Sequence, residues 1–128
     1  RQVSPDLPPA DTLSATLQFA DGTTGCYLAS YAVGAFWDAP LQIVGAAGSM
    51  RVDRGWIETA RSGEAPVRRV VRAVDGVDAE LAAFVDAVLE GKPHANDPLE
   101  ALRDLAVIEA MLASARSGHV EDVARIHG

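Results

Sequence analysis

From residue 12 to residue 20 the chain reads TLSATLQFA, with Leu13, Ala15, Leu17 and Phe19 at every second place. Thr12, Ser14, Thr16 and Gln18 occupy the places between. A period of two is the signature of a strand with one buried face. Asp21-Gly22 comes next, a pair suited to a type I′ turn, which needs positive φ at both central residues. The pattern then predicts a second strand over 23–33. A two-residue turn sets Ala20 opposite Thr23, Leu17 opposite Cys26, Thr16 opposite Tyr27 and Thr12 opposite Tyr31. On that register the core face holds Leu13, Ala15, Leu17 and Phe19 with Cys26 and Leu28. The other face holds the Thr, Ser and Gln side chains with Tyr27, Ala29 and Tyr31.

Farther along, GAFWDAP at 34–40 reads as a loop. Short strands are predicted over 41–44, 49–53 and 56–60, the last two joined by a turn at Arg54-Gly55. VRRVVRAV at 67–74 alternates poorly and reads as an edge strand. The period then changes to that of a helix. In DAELAAFVDAVLEGK, Leu81, Phe84, Val85, Val88 and Leu89 form one stripe, and Gly91 followed by Pro93 marks the end. A second helix starts at DPLE, with Asp97 as cap, Pro98 in the first turn and Glu100 at the third position. It continues to Ser117, about 20 residues or roughly 30 Å, and stops at Gly118. Its apolar arc is Leu102, Leu105, Ile108 and Leu112, with Val107 and Met111 beside them. The tail HVEDVARIHG suits one short strand. Strands first and helices after predict an α+β fold, a mostly antiparallel open sheet with two C-terminal helices packed on one face. Residues 1–11, with Pro5, Pro8 and Pro9, form an extended lead-in. Residues 12–128 then make up the sheet domain.

Length and charge narrow the possibilities. The 128 residues suit one domain. The formal charge of −7 argues against a nucleic-acid partner, which requires basic patches to displace counterions. No uncharged apolar run reaches the ~18 residues of a membrane helix; the longest candidate, 105–115, is broken by Glu109. One cysteine, Cys26, allows no internal disulfide, which fits a reducing, cytoplasmic setting.

Candidate chemistry is sparse. IVGAAGSMRV, 43–52, carries Gly45 and Gly48. A dinucleotide fingerprint needs three glycines between a strand and a helix, and a phosphate loop needs a lysine after the last glycine. Neither pattern is met, so the glycines read as a tight strand-to-strand turn. His94, His119 and His127 match no metal spacing and read as surface histidines. Cys26 with a histidine would be a nucleophile, but its predicted core position favours inert packing. Asp78, Glu80, Asp86, Glu90, Asp97, Glu100, Asp104 and Glu109 read as solvated helix faces, with no pair marked for acid–base work. Arg68, Arg69 and Arg72 form the one basic cluster, suited to binding an anionic substrate group or to guarding a sheet edge. Trp37 and Trp56 could stack on a sugar or serve packing.

The order TLQFADGTTG, LQIVGAAGSMRVD, ELAAFVDAVLEGKPH and PLEALRDLAVIEAMLASARSGHVEDV, over 12–123, resembles the glucose–fructose oxidoreductase and inositol dehydrogenase family (Gfo/Idh/MocA), C-terminal part. The resemblance implies a two-domain enzyme. Its N-terminal Rossmann domain would bind NAD or NADP, and its C-terminal sheet domain would shape the substrate site and form oligomers. Substrates would be sugars, polyols or related cyclic alcohols, and the reaction hydride transfer. The family's nucleotide fingerprint, its E-K-P motif and its Asp/His pair have no counterpart in this sequence; EGKP at 90–93 is a helix end, not the catalytic motif. No catalytic, cofactor-binding or metal residue of the family therefore transfers to a position here.

The expectation is a portion of such a dehydrogenase, without the Rossmann domain and inactive alone, forming a homo-oligomer through its sheet face. Thr16, Tyr27, Ala29 and Tyr31 are the expected dimer face. NAD or NADP would belong to the longer enzyme, and no cofactor is expected on this chain by itself. The alternative is a stand-alone, non-catalytic binding or dimerisation module. A small independent enzyme using Cys26 or a histidine is a third reading.

Overall fold

The computed structural model describes residues 3–6, 10–32, 39–71, 76–94 and 96–127. The elements in chain order are β1 (Thr12–Gln18), β2 (Thr24–Ser30), β3 (Leu41–Gly45), β4 (Gly48–Asp53), β5 (Trp56–Arg61), β6 (Val67–Val70), α1 (Gly76–Glu90) and α2 (Pro98–Ser117). Strands precede helices and every strand pair is antiparallel, an α+β fold. The strands divide between a two-stranded sheet, β1-β2, and a four-stranded meander, β3-β4-β5-β6. The chain forms two compact units: residues 1–34 with 93–128, and residues 35–92.

The first unit holds β1, β2 and α2. Its hairpin differs from the expected register by one residue: Leu17 pairs with Gly25, Thr16 with Cys26 and Thr12 with Ser30. The cause lies in the turn. Phe19 N–H donates to Thr23 C=O and Gly22 N–H to Phe19 C=O, so the loop is Ala20-Asp21-Gly22. Only Gly22 has positive φ, +87°. A type I turn closed by a left-handed glycine needs no positive φ at aspartate, and Asp21 also accepts from Thr23 N–H at 2.9 Å.

A one-residue slip exchanges the faces of β2. Tyr27 and Ala29 now lie opposite Ala15 and Leu13, on the face that meets α2, while Thr16 lies opposite Cys26 on the other face. The expected dimer face therefore splits: Tyr27, Ala29 and Tyr31 are on one side, with Leu13 and residues of α2 around them, and Thr16 is on the opposite side. Cys26 moves off the core face for the same reason and is exposed.

α2 begins and ends as its sequence predicts. Asp97 Oδ1 accepts from Leu99 N–H at 2.8 Å and Glu100 N–H at 2.9 Å. Gly118 closes the helix at φ +71°, its N–H donating to Ser114 C=O. The buried side is Ala106 and Met111, with Val107 and Ala110 half-buried next to them, whereas Leu102, Leu105 and Ile108 are exposed. The small and unbranched side chains sit closest because they let the helix approach the hairpin. The tail does not form the predicted strand: residues 118–127 contain no regular element.

The second unit is the β3–β6 meander and α1. Gly45 pairs with Gly48 across the turn Ala46-Ala47, and Asp53 pairs with Trp56 across Arg54-Gly55. Gly48 is required: its φ is +150°, and a Cβ there would lie 2.2 Å from the Ala60 carbonyl oxygen. The glycine-rich stretch is thus a hairpin turn held against β5, as its spacing predicts. α1 contains no buried residue; Leu81, Phe84, Val85, Val88 and Leu89 are all exposed. Trp37 and Arg72 lie outside the described residues. Among the described residues, no helix is long and apolar enough to cross a membrane.

Candidate functional site

In the first unit, a groove of about 450 Å³ lies between β1, α2 and the tail. Leu17, Val107 and Met111 supply apolar walls, and Thr16, Ser114 and His119 bring polar atoms to it. The groove exists because the tail turns back at Gly118. Ser114 Oγ donates to His119 C=O at 2.6 Å, His119 N–H donates to Ser117 Oγ at 3.1 Å, and Ser117 Oγ donates to Glu121 Oε1 at 2.7 Å. These bonds tie residues 119–121 to the last turn of α2. An apolar floor edged by Thr16, Ser114 and His119 suits a small neutral molecule bearing hydroxyls.

In the second unit, cross-strand register builds a charged platform. Arg51 lies opposite Glu58, and Glu58 opposite Arg68. Arg68 binds Glu58 at 3.0 Å, and Arg51 binds Asp53 at 3.2 Å. Both guanidiniums cover Trp56, at 4.1 Å (Arg68) and 5.3 Å (Arg51) from the ring centroid. Two cations and two carboxylates balance, and the ring is already stacked, so Trp56 serves packing on this face. Arg69 falls opposite Ile57 on the other face. Arg68 and Arg69, neighbours along the sequence, are therefore on opposite faces.

The remaining candidates are dispersed. His94 Nδ1 lies against the Asn96 backbone, 2.9 Å from its carbonyl oxygen and 3.2 Å from its nitrogen, while His119 and His127 are exposed. Among the described residues, no group of three His, Cys, Asp or Glu side chains is placed to hold a metal. Asp86 and Glu90 pair with Lys92 at 3.6 Å and 2.7 Å, and Glu100 pairs with Arg103. The turn at Ala46-Ala47 joins two strands rather than opening a helix, so it does not fit a dinucleotide pyrophosphate.

The carboxylate that sequence reading missed is Asp11. It is 5 % exposed and accepts from Val3 N–H at 2.9 Å and Ser4 N–H at 2.7 Å. The Ser4 bond leads in holding its carboxyl below the usual aspartate range; burial opposes the shift, and bonds from Val3 and Thr12 add to it. Its one signal in sequence was its place immediately before the first alternating strand.

The segment order, the strand-then-helix fold and the paired caps of α2 all point one way, and comparison with known proteins agrees. The family described as "Oxidoreductase family, C-terminal alpha/beta domain" (Gfo/Idh/MocA) matches residues 1–124. The chain belongs to the Gfo/Idh/MocA oxidoreductase family. Among curated relatives, the dehydrogenase FPY6 of Fusarium mangiferae is 32 % identical over 114 residues, covering 85 % of this chain and 33 % of that protein. The chain thus spans about a third of the length of that Gfo/Idh/MocA relative. No solved structure matches.

Proposed function

We propose that this chain is the substrate-side and subunit-contact portion of an NAD(P)-dependent dehydrogenase acting on a sugar, a polyol or a related cyclic alcohol. The observation that carries the reading is the family match across residues 1–124, joined by the alignment to one third of a dehydrogenase. Hydride transfer needs a nicotinamide ring held against a carbinol carbon and a group that takes the hydroxyl proton. Both tasks fall to an N-terminal nucleotide-binding part of the longer enzyme. The groove under α2 offers what remains: apolar walls, and Thr16, Ser114 and His119 as hydrogen-bonding groups for hydroxyls.

The test begins with the reading frame upstream of Arg1. A frame carrying G-x-G-x-x-G and E-K-P should yield an enzyme that reduces NAD or NADP with a cyclic polyol, followed by absorbance of the reduced nicotinamide. The 128-residue chain alone should show no heat of NAD or NADP binding in titration calorimetry. Tight dinucleotide binding and alcohol oxidation by the chain alone would refute the division of labour. A start codon adjoining Arg1 would favour a stand-alone binding module instead.

A further inference from the structure

Asp21-Gly22, the pair that turns the first hairpin, is also a chemically reactive pair. The amide nitrogen that follows an aspartate can attack that aspartate's own Cγ and close a succinimide ring. Glycine hinders the attack least, because it carries no Cβ. In the turn between β1 and β2 both reacting groups are held. Gly22 N–H donates to Phe19 C=O at 3.0 Å. Asp21 Oδ1 accepts from Thr23 N–H at 2.9 Å, and that bond leads in holding the carboxyl below the usual aspartate range. The nucleophile is thus committed as a donor. The electrophile is kept as a carboxylate, which has no hydroxyl to lose. Phe19 N–H, donating to Thr23 C=O at 2.8 Å, closes the same loop from its other side.

We propose that Asp21 is a site of isoaspartate formation, and that the hydrogen bonds of the hairpin turn hold the reaction in check until the turn opens. In the open turn, Gly22 N bonds to Asp21 Cγ. The Cγ–OH bond breaks, and the hydroxyl leaves as water with the amide proton. Water then adds back to the succinimide. Attack at Cγ restores Asp21. Attack at the main-chain carbonyl carbon breaks its bond to Gly22 N and leaves the chain running through Cβ and Cγ. One water leaves and one returns, so the product has the mass of the starting chain.

The position gives this change its consequence. The rerouted backbone is one atom longer between Asp21 Cα and Gly22 N. The bonds from Gly22 to Phe19 and from Phe19 to Thr23 both span that segment, and an added atom misaligns them. The loop is also the one whose length sets the pairing of β2 with β1. The isoaspartyl chain is therefore less stable than its parent.

The test ages the whole chain, native and unfolded in guanidinium chloride, at one pH and temperature. Peptide mapping with electron-transfer fragmentation distinguishes isoaspartate from aspartate of equal mass. It also separates position 21 from Asp75, which precedes Gly76 in a second Asp-Gly pair and lies outside the described residues. Isoaspartate should form at 21 in the unfolded chain, and at least about tenfold more slowly in the native one, since opening breaks several bonds. The slowing should match the exchange protection of the Gly22 amide, because both reactions wait for release of the same donor. Asp21→Asn separates geometry from charge. Its side chain is uncharged and loses ammonia, which mass spectrometry reads directly, while Thr23 N–H keeps an acceptor. The native variant should still deamidate more slowly than the unfolded variant; equal rates would assign the restraint to charge alone and overturn the role of the turn. Equal rates in the native and unfolded parent chain overturn the proposal, as does an unfolded chain that forms no isoaspartate at 21. A native chain that is slowed while its Gly22 amide exchanges freely would place the restraint elsewhere and overturn it too.

Discussion

Asp11 ties the lead-in to the start of β1 through the backbone N–H groups of Val3 and Ser4. Because those bonds favour the charged carboxyl, the folded state lowers its pKa, led by the Ser4 bond. A carboxyl depressed in this way contributes stability that is present above the usual aspartate value, about 3.9, and is lost as pH falls through the folded value. Asp11→Asn should therefore unfold more easily than the parent at pH 7, with the gap closing as the solution is acidified. Thermal melts followed by circular dichroism at both pH values measure this, and a gap independent of pH would assign the loss to shape rather than charge. Glycines separate two further effects. Gly63 and Gly48 both have positive φ, +82° and +150°, but a Cβ at Gly63 meets nothing within 4 Å, while at Gly48 it meets the Ala60 carbonyl. Gly63→Ala should cost only backbone strain, on the order of 1 kcal/mol. Gly48→Ala should cost more than the ~1–3 kcal/mol of a strained backbone, because β5 must also shift. Urea unfolding of the two variants gives the comparison.

At the scale of elements, what was legible depended on how local the signal is. The ends of α2 could be read because Asp97, Pro98 and Gly118 act within one turn of their own positions. Asp97→Ala should lose about 1 kcal/mol, measured by chemical denaturation, since two amide donors lose their acceptor. The hairpin register could not be read from Asp21-Gly22 alone. The same dipeptide occupies the centre of a two-residue turn or the end of a three-residue one, and only the second leaves Asp21 at negative φ. That single residue of loop length exchanged the faces of Tyr27 and Cys26. The platform around Trp56 was missed for a related reason. Arg51, Glu58 and Arg68 become neighbours only once β4, β5 and β6 are aligned, whereas along the sequence Arg68 appears grouped with Arg69.

For the whole molecule, the order of segments carried the family, but no site could be read, because the polar side chains are spent singly on caps, turns and ion pairs. The chain also leaves much apolar surface open. Leu81 and Phe84 on α1 are each 58 % exposed, and Leu41, Ile43 and Val67 share one face of the meander at 50–55 %. Surfaces of this kind attract one another, and the net charge of −7 opposes that attraction. Salt removes the opposition: the screening length falls from about 10 Å at 0.1 M to about 3 Å at 1 M. Light scattering should therefore rise with sodium chloride. Leu81→Glu with Val88→Glu should keep scattering flat to high salt. The unfolding midpoint should barely move, because α1 buries none of its residues and exposed sites change stability by only about 0.5 kcal/mol. Scattering that rises equally in the double variant would move the sticky surface off α1 and onto the meander, where Ile43→Lys becomes the discriminating change.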